Sequence, residues 1–411
     1  MTDARNTTAI DGLDSLEDFY RDLHEHPELS LQEHRTAARV ADTLRSFGYD
    51  VTGQVGVTGV VGVLERGSGA TVMLRADMDA LPVVEQTGLD YASTTQGVMH
   101  ACGHDLHTTA LVGAAQALAS DTEWNGRLIL VFQPAEETGA GARAMIADGL
   151  VERFGTPDVV LGQHVAPLPA GVIGMRPDVA FAASDALVLT VFGRGGHGSR
   201  PETTVDPIVL GAAIVTRLQT VVARETAATD VAVVTVGSFH AGEAPNVIAD
   251  RAVLQLSVRT FDPRVREHTL AAIERIARGE ALAAGAERVP ELETLVTFPV
   301  VTNDPTAMDR VRQAFARTLP QTMVIDPGVV TGSEDVGILA EAAGAPLAYW
   351  VLGGADPALF SNAQSLDEFA RVARSVPANH SPLFAPVIEP TLRLGVEALR
   401  TAALSWLDHQ A

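Results

Sequence analysis

Stretches with a helical repeat of apolar positions trade places along this chain with short Val-rich runs bounded by glycine. The spacing predicts helices over residues 13–24 and 30–47, the second opened by a capping box of Ser30 and Glu33. Strands are expected at 60–64, 71–75, 128–133 and 158–164, with helices over 104–119 and 140–148 between them. Strands alternating with helices predict an α/β fold, a mostly parallel sheet with flanking helices.

Near Ser184 the texture changes. Strands with alternating faces are expected at 186–192, 231–237, 251–261 and 291–298, and helices at 206–224 and 263–284. The first of those helices opens with Asp206-Pro207 as N-cap and first helical residue. The order β-α-β-β-α-β is that of a ferredoxin-like module. Beyond Val300 the α/β texture resumes, with helices at 305–318, 334–343 and 387–407 and a strand at 347–352. The expected organisation is therefore a larger domain formed by 1–183 and 299–411, with a ferredoxin-like α+β domain, 184–298, inserted into it. Pro-rich segments at 166–177 and 375–386 read as loops.

With 411 residues the chain is long enough for two such domains. Its formal charge of −22 disfavours nucleic-acid binding. A single cysteine, Cys102, excludes an internal disulfide and fits a reducing compartment. The polar, acidic start over residues 1–16 has no secretory pattern, and no uninterrupted apolar run of about 18 residues suggests a membrane span, so a cytoplasmic location is expected.

Chemistry concentrates at five places. Asp77 and Asp79 lie two apart after an apolar strand, where extended chain points both the same way; capping acids at a turn would look alike. His100, Cys102, His104 and His107 crowd a thiol and three imidazoles into eight residues, a density suited to zinc and similar cations. Glu136 and Glu137 follow a strand; one carboxylate can bind metal while the other takes a proton, although acids at a helix start are common. His164 ends a predicted strand and His380 lies in a late loop; alone, each reads as structural. Together, Cys102, His104, Glu137, His164 and His380 supply five candidate ligands, about what two cations with a shared bridge need. Neither a nucleophile elbow nor a phosphate-binding loop is present in the sequence.

The segments His24–Ser30, Arg75–Pro82, Met99–His107, Gln133–Glu137, Gly196–Pro201, Pro245-Asn246, Gly332–Asp335 and Asn379-His380 span nearly the whole chain. In this order they resemble the dinuclear-metal amidohydrolase and carboxypeptidase family that includes aminoacylases, hippurate hydrolase and indole-acetyl-amino acid hydrolases. The resemblance implies two divalent metals per subunit, zinc, manganese, cobalt or nickel, bridged by Cys102 and completed by His104, Glu137, His164 and His380. It makes Glu136 the general base and Asp79 the carboxylate that orients the centre. In the more distant carboxypeptidase branch a histidine ligand stands where this chain has Asp77. The inserted domain would serve as lid and homodimer interface, with His197 polarising the scissile carbonyl, in the same or the partner subunit. Asn246 and Arg259 would contact substrate, although Arg259 reads equally as an exposed strand cation, and Gly332-Ser333 would cradle a carboxylate at a helix start. The implied reaction is hydrolysis of N-acyl amino acids, small-molecule substrates; the rivals are a dipeptidase or aminopeptidase, or a silent binding homologue.

Overall fold

The computed structural model describes residues 15–363 and 365–409. Packing divides the chain into two units: Met1–Asp178, Thr302–Gly328 and Asp335–Ala411 form one, and Val179–Val301 with Val329–Glu334 the other.

The first unit is built on a nine-stranded sheet. Its order is Asp50–Val55, Gly59–Arg66, Trp124–Gln133, Thr71–Asp77, Val159–Pro169, Leu347–Ala355, Val172–Gly174, Met323–Ile325, and Asp408–His409 pairs with Trp124–Gln133. The four central strands are mutually parallel, and antiparallel pairs flank them. Central strands covered on both faces read as unbroken apolar runs, as Leu128–Phe132 and Val159–Leu161 do, all fully buried. Helix His104–Ser120 is buried along almost its whole surface and packs on helices Leu16–Glu25 and Ile388–Leu404.

The structure departs from the sequence expectations at several points. The start expected for the first helix, 13–14, lies outside the described residues; the helix runs Leu16–Glu25 with Ser15 as N-cap. The Ser30–Glu33 capping box does not form. Helix His34–Ser46 is capped instead by Glu28, whose carboxylate accepts from Arg35 N and Thr36 N at 3.0 and 2.8 Å. Ser30 and Glu33 are drawn away to buried acceptors and donors, Asp79 and Thr58. The Pro-rich segment 166–177 is not a loop throughout, because it carries the end of Val159–Pro169 and the strand Val172–Gly174. The helix expected from 334 begins at Val336.

In the second unit, four antiparallel strands are ordered Ala232–His240, Arg251–Thr260, Ala183–Phe192, Glu291–Phe298, with helices Pro207–Thr220 and Pro263–Ala283. That is the ferredoxin-like arrangement. Leu187, Leu189, Val191, Leu254, Leu256 and Val258 alternate inward beneath Leu210, Ile214, Ile273 and Ile276. Asp206 and Asp262 cap the two helices, each followed by proline, and accept from Ile208 N and Arg264 N at 2.8 Å. A π-helical turn prolongs the first helix, and Pro207–Glu225, 19 residues, is by length and mean hydropathy alone apolar enough to cross a membrane, although Arg217, Arg224 and Glu225 interrupt it, in line with the expectation of no uninterrupted apolar run. Its Leu210, Ile214, Leu218 and Val221 are buried in this unit's own core.

Candidate metal centre

The five expected ligands all belong to the first unit, and the fold gathers them. Gly103, the N-cap of helix His104–Ser120, has φ +88°, and a Cβ there would lie 2.4 Å from Val165 Cγ1. Only glycine fits this turn, which sets Cys102 and His104 on either side of it. His164 lies within strand Val159–Pro169 rather than at its end. His380 has φ +72°, and its N–H donates to Ala101 O at 2.8 Å, tying its loop to the segment before Cys102.

Two triads result, and they share Cys102. One is Cys102, His104 and His164; the other is Cys102, Glu137 and His380; in each, one potential ligand atom per residue lies within 4.8 Å of the others. His104, Glu136 and Glu137 form a third such group, and Asp77, His104 and His107 a fourth. Cys102 Sγ is 3.5 Å from His164 Nε2, and Glu137 Oε1 is 3.2 Å from His380 Nε2.

The protons of the ring nitrogens are directed. His164 Nδ1 donates to Val165 O at 2.7 Å, leaving the Nε2 lone pair toward Cys102. His104 Nδ1 faces Asp79 Oδ1 at 3.3 Å, and its Nε2 is buried without a hydrogen-bond partner. Glu137 Oε1 is likewise buried without one, since the nearby His380 Nε2 does not meet it with hydrogen-bond geometry. A histidine whose outer nitrogen is held by a carboxylate or carbonyl while the inner one stays unpaired is the pattern of a metal ligand. An orphaned imidazole nitrogen on His104 and an orphaned carboxylate oxygen on Glu137, beside the Cys102 sulfur in two linked triads, fit a pair of divalent cations.

Asp79 organises this arrangement. Its Oδ1 also accepts from Glu136 N at 3.0 Å, and its Oδ2 from Glu137 N at 3.1 Å and Ser30 Oγ at 2.7 Å. The turn that presents these two N–H groups includes Ala135 at φ +48°, whose N–H is held by Glu33 Oε1 at 2.9 Å. Glu136 is 5% exposed, with Oε2 4.0 Å from His104 Nε2.

Burial and the neighbouring Glu137 push the Cys102 thiol pKa up. The neighbouring Cys102 sulfur and Glu137 carboxylate raise His380 to about 10. Burial alone would lower His104, but the Asp77 carboxylate and Cys102 hold it well above the usual imidazole range. Burial and His107 drive His164 well below that range. Cations entering the centre therefore replace protons shared among these groups.

Sequence reasoning assigned no part to several residues behind the centre. Arg75, fully buried, pairs with Asp77 at 2.6 Å and Asp335 at 3.0 Å and donates to Gln133 at 3.0 Å. Asp77 also accepts from His107 Nδ1 at 2.6 Å, while His107 Nε2 accepts from Val165 N at 2.8 Å. That backbone donor fixes His107 as the neutral Nδ1–H tautomer. Asp77 thus supports the residue after His164. Asn379 donates to Cys102 O and Val165 O, both at 3.1 Å. Each of these residues except Val165 sits inside a motif quoted above, and that was the available signal.

The remaining candidates lie in the second unit. Gly196–His197 pairs with Val247–Ile248, and Gly198 N donates to Asn246 O at 2.8 Å, so His197 and Asn246 share one ribbon. His197 Nδ1 accepts from Ser199 N at 3.1 Å, which places its proton on Nε2. Arg259 Nη1 donates to Thr331 O at 2.6 Å, beside Gly332 and the half-buried Ser333. Gly332-Ser333 is not at a helix start, as was expected, because Asp335 is the N-cap of helix Val336–Ala343. The free N–H argument for a carboxylate cradle there does not apply.

Comparison with known proteins agrees with this geometry. The model of peptidase family M20/M25/M40 matches residues 73–378. Hippurate hydrolase of Campylobacter jejuni is 45% identical over 289 residues, 70% of this chain and 74% of that protein. Thermostable carboxypeptidase 1 of Saccharolobus solfataricus is 38% identical over 341 residues, 81% of this chain and 84% of the relative. The crystal structure of the Bacillus subtilis YXEP protein, a dinuclear metal-binding peptidase, superposes with a TM-score of 0.75 at 30% identity, covering 95% of this chain and 97% of that one. The family match, the sequence relatives and the shared fold agree: this chain belongs to peptidase family M20/M25/M40.

Proposed function

We propose that the centre hydrolyses the amide bond of N-acyl-L-amino acids, releasing a carboxylic acid and a free amino acid. The observation that carries this reading is the pair of triads sharing Cys102 with Glu136 beside them. The hippurate hydrolase relative supports the N-acyl substrate class. The chain acts as a metal-dependent amidohydrolase.

Cys102, His104 and His164 would hold one cation, and Cys102, Glu137 and His380 the other. Zinc, manganese, cobalt and nickel all suit such a mixed sulfur, nitrogen and oxygen set. Bound there, two divalent cations supply Lewis acidity and make water a stronger acid. Glu136 takes the proton of the attacking water and delivers it to the departing nitrogen. Asp79 keeps His104 in the ligating tautomer and fixes the backbone at Glu136 and Glu137. His197 offers its Nε2–H to the oxygen of the scissile carbonyl as negative charge develops. Asn246, Arg259, Gly332 and Ser333 are assigned to substrate contact. The second unit serves as lid and homodimer interface, and the enzyme works in the cytoplasm.

The carboxypeptidase relative favours a second reading, in which the acyl group is itself an amino acid. A panel of N-acetyl and N-benzoyl amino acids and free dipeptides, run with each of the four metals, separates the two. Turnover of the N-acyl compounds at least tenfold faster than of dipeptides is expected; the reverse order overturns the assignment.

A further inference from the structure

The segment His24–Ser30 has no part in the chemistry above, yet it closes the back of the centre at two points. Ser30 reaches Asp79, the carboxylate that holds His104. His24, 1% exposed, is held between two carboxylates: Nδ1 lies 2.6 Å from Asp105 Oδ2 and Nε2 3.2 Å from Glu85 Oε1. Tyr20 and Tyr91 pack against its ring at centroid distances of 5.9 and 5.3 Å.

The two carboxylates belong to different parts of the centre. Asp105 follows His104 at the start of helix His104–Ser120. Glu85 belongs to the irregular segment 82–97, where its Oε2 also accepts from Ser93 N at 2.7 Å. The next residue, Gln86, donates its N–H to Pro382 O at 2.8 Å, two residues beyond His380. One imidazole therefore joins the segment that carries His104 to the loop that carries His380. Direct hydrogen bonds, from His380 N to Ala101 O and from Asn379 to Cys102 O and Val165 O, hold the near side of that loop, and the His24 link holds its far side at Pro382; the His380 side chain between them is 55% exposed.

We propose that His24 is a positioning residue for the paired cation centre, setting the register between its two histidine-bearing segments through Asp105 on one side and Glu85, Gln86 and Pro382 on the other. The inference rests on the metal centre assigned above. Without the clamp, the His380 loop keeps its hydrogen bonds to Ala101, Cys102 and Val165 but loses the support at Pro382, and binding of the cation held by Glu137 and His380 is weakened first. The cation on His104 and His164 keeps its ligands, because the hydrogen bonds from His104 to Asp79 and from His164 to Val165 do not involve His24.

The test is titration calorimetry of chelator-stripped full-length protein with Mn²⁺, on the wild type, His24→Ala and Glu85→Ala. The wild type should take up two cations, and each variant should hold the first within about threefold while binding the second roughly 10–100-fold more weakly, the usual effect of losing an outer-shell partner. Activity of both variants should recover as Mn²⁺ is raised, a rescue that a general loss of stability would not show. Should His24→Ala fail to fold, Glu85→Ala cuts the same link further from the core. Two cations of unchanged affinity in a folded variant, or equal weakening of both, overturn the role of His24. A wild type that binds no cation overturns the centre itself, which is a separate result.

Discussion

Glu136 and Glu137 are neighbours in the chain whose N–H groups bind opposite oxygens of one carboxylate, Asp79. Their side chains are then free to divide tasks: Glu137 Oε1 faces His380 and completes a triad with Cys102, whereas Glu136 stands beside His104 outside the Cys102 triads. In the proposed mechanism this division separates cation binding from proton transfer. Glu136→Gln keeps the shape and the N–H contact with Asp79 but cannot take a proton. Its kcat should fall by about 10²–10⁴, with cation content by elemental analysis unchanged. Near-normal turnover would remove Glu136 as the base. The cluster of candidate ligands was legible in the sequence, because a thiol and several imidazoles at close spacing have few other uses, and the fold gathers them. Their supports were not. Arg75 and Asp335 meet across 260 positions, and His24 and Asp105 across 81, distances at which no local pattern operates.

At the scale of elements, the centre depends on sharp local geometry at the ends of regular structure. Strand Thr71–Asp77 delivers Asp79, strand Trp124–Gln133 delivers Glu136 and Glu137, and helix His104–Ser120 begins at the candidate ligand His104. The turn at Gly103 is the most demanding of these, with φ +88° and Val165 where a side chain would go. Gly103→Ala should destabilise the protein by about 1–3 kcal/mol through backbone strain and overpacking, and displace Cys102 from His104. Calorimetric melting with and without Mn²⁺ should show a lower Tm and a smaller shift on adding cation; an unchanged shift would mean the turn does not set ligand spacing. Elements with strong periods were readable: the alternating strands and Asp-Pro helix starts of the second unit gave its topology in advance. Short pieces were not. Val172–Gly174 lies in a proline-rich stretch, and Ser30 resembled a cap until its partner proved to be Asp79. In both cases tertiary pairing outweighed local propensity.

For the whole molecule, charge and pH behaviour follow from an unusual composition. The sequence contains no lysine, so its basic side chains other than histidine are all arginine and stay charged at any working pH. Between about pH 6.5 and 9, pH-dependent stability therefore comes from histidines, Cys102 and the terminal amine. Burial alone would lower His24, but Asp105 and Glu85 raise it to about 9. Below about pH 6.5 both folded and unfolded chains hold that proton, and the full stabilisation, on the order of 3 kcal/mol, is present. As pH rises toward 9 the unfolded chain has lost the proton and the folded one has not, so the contribution declines and is gone above about 9. Urea unfolding of cation-loaded protein should show wild-type stability falling across this window more steeply than that of His24→Gln; parallel curves would contradict the doubly bridged imidazole.

In the proposed centre two cations share the Cys102 sulfur. Anomalous diffraction from crystals grown with Mn²⁺ tests it directly. Two peaks per chain are expected, both adjoining Cys102 Sγ, one flanked by His104 and His164 and the other by Glu137 and His380. A single peak, or peaks that do not adjoin Cys102, would contradict it.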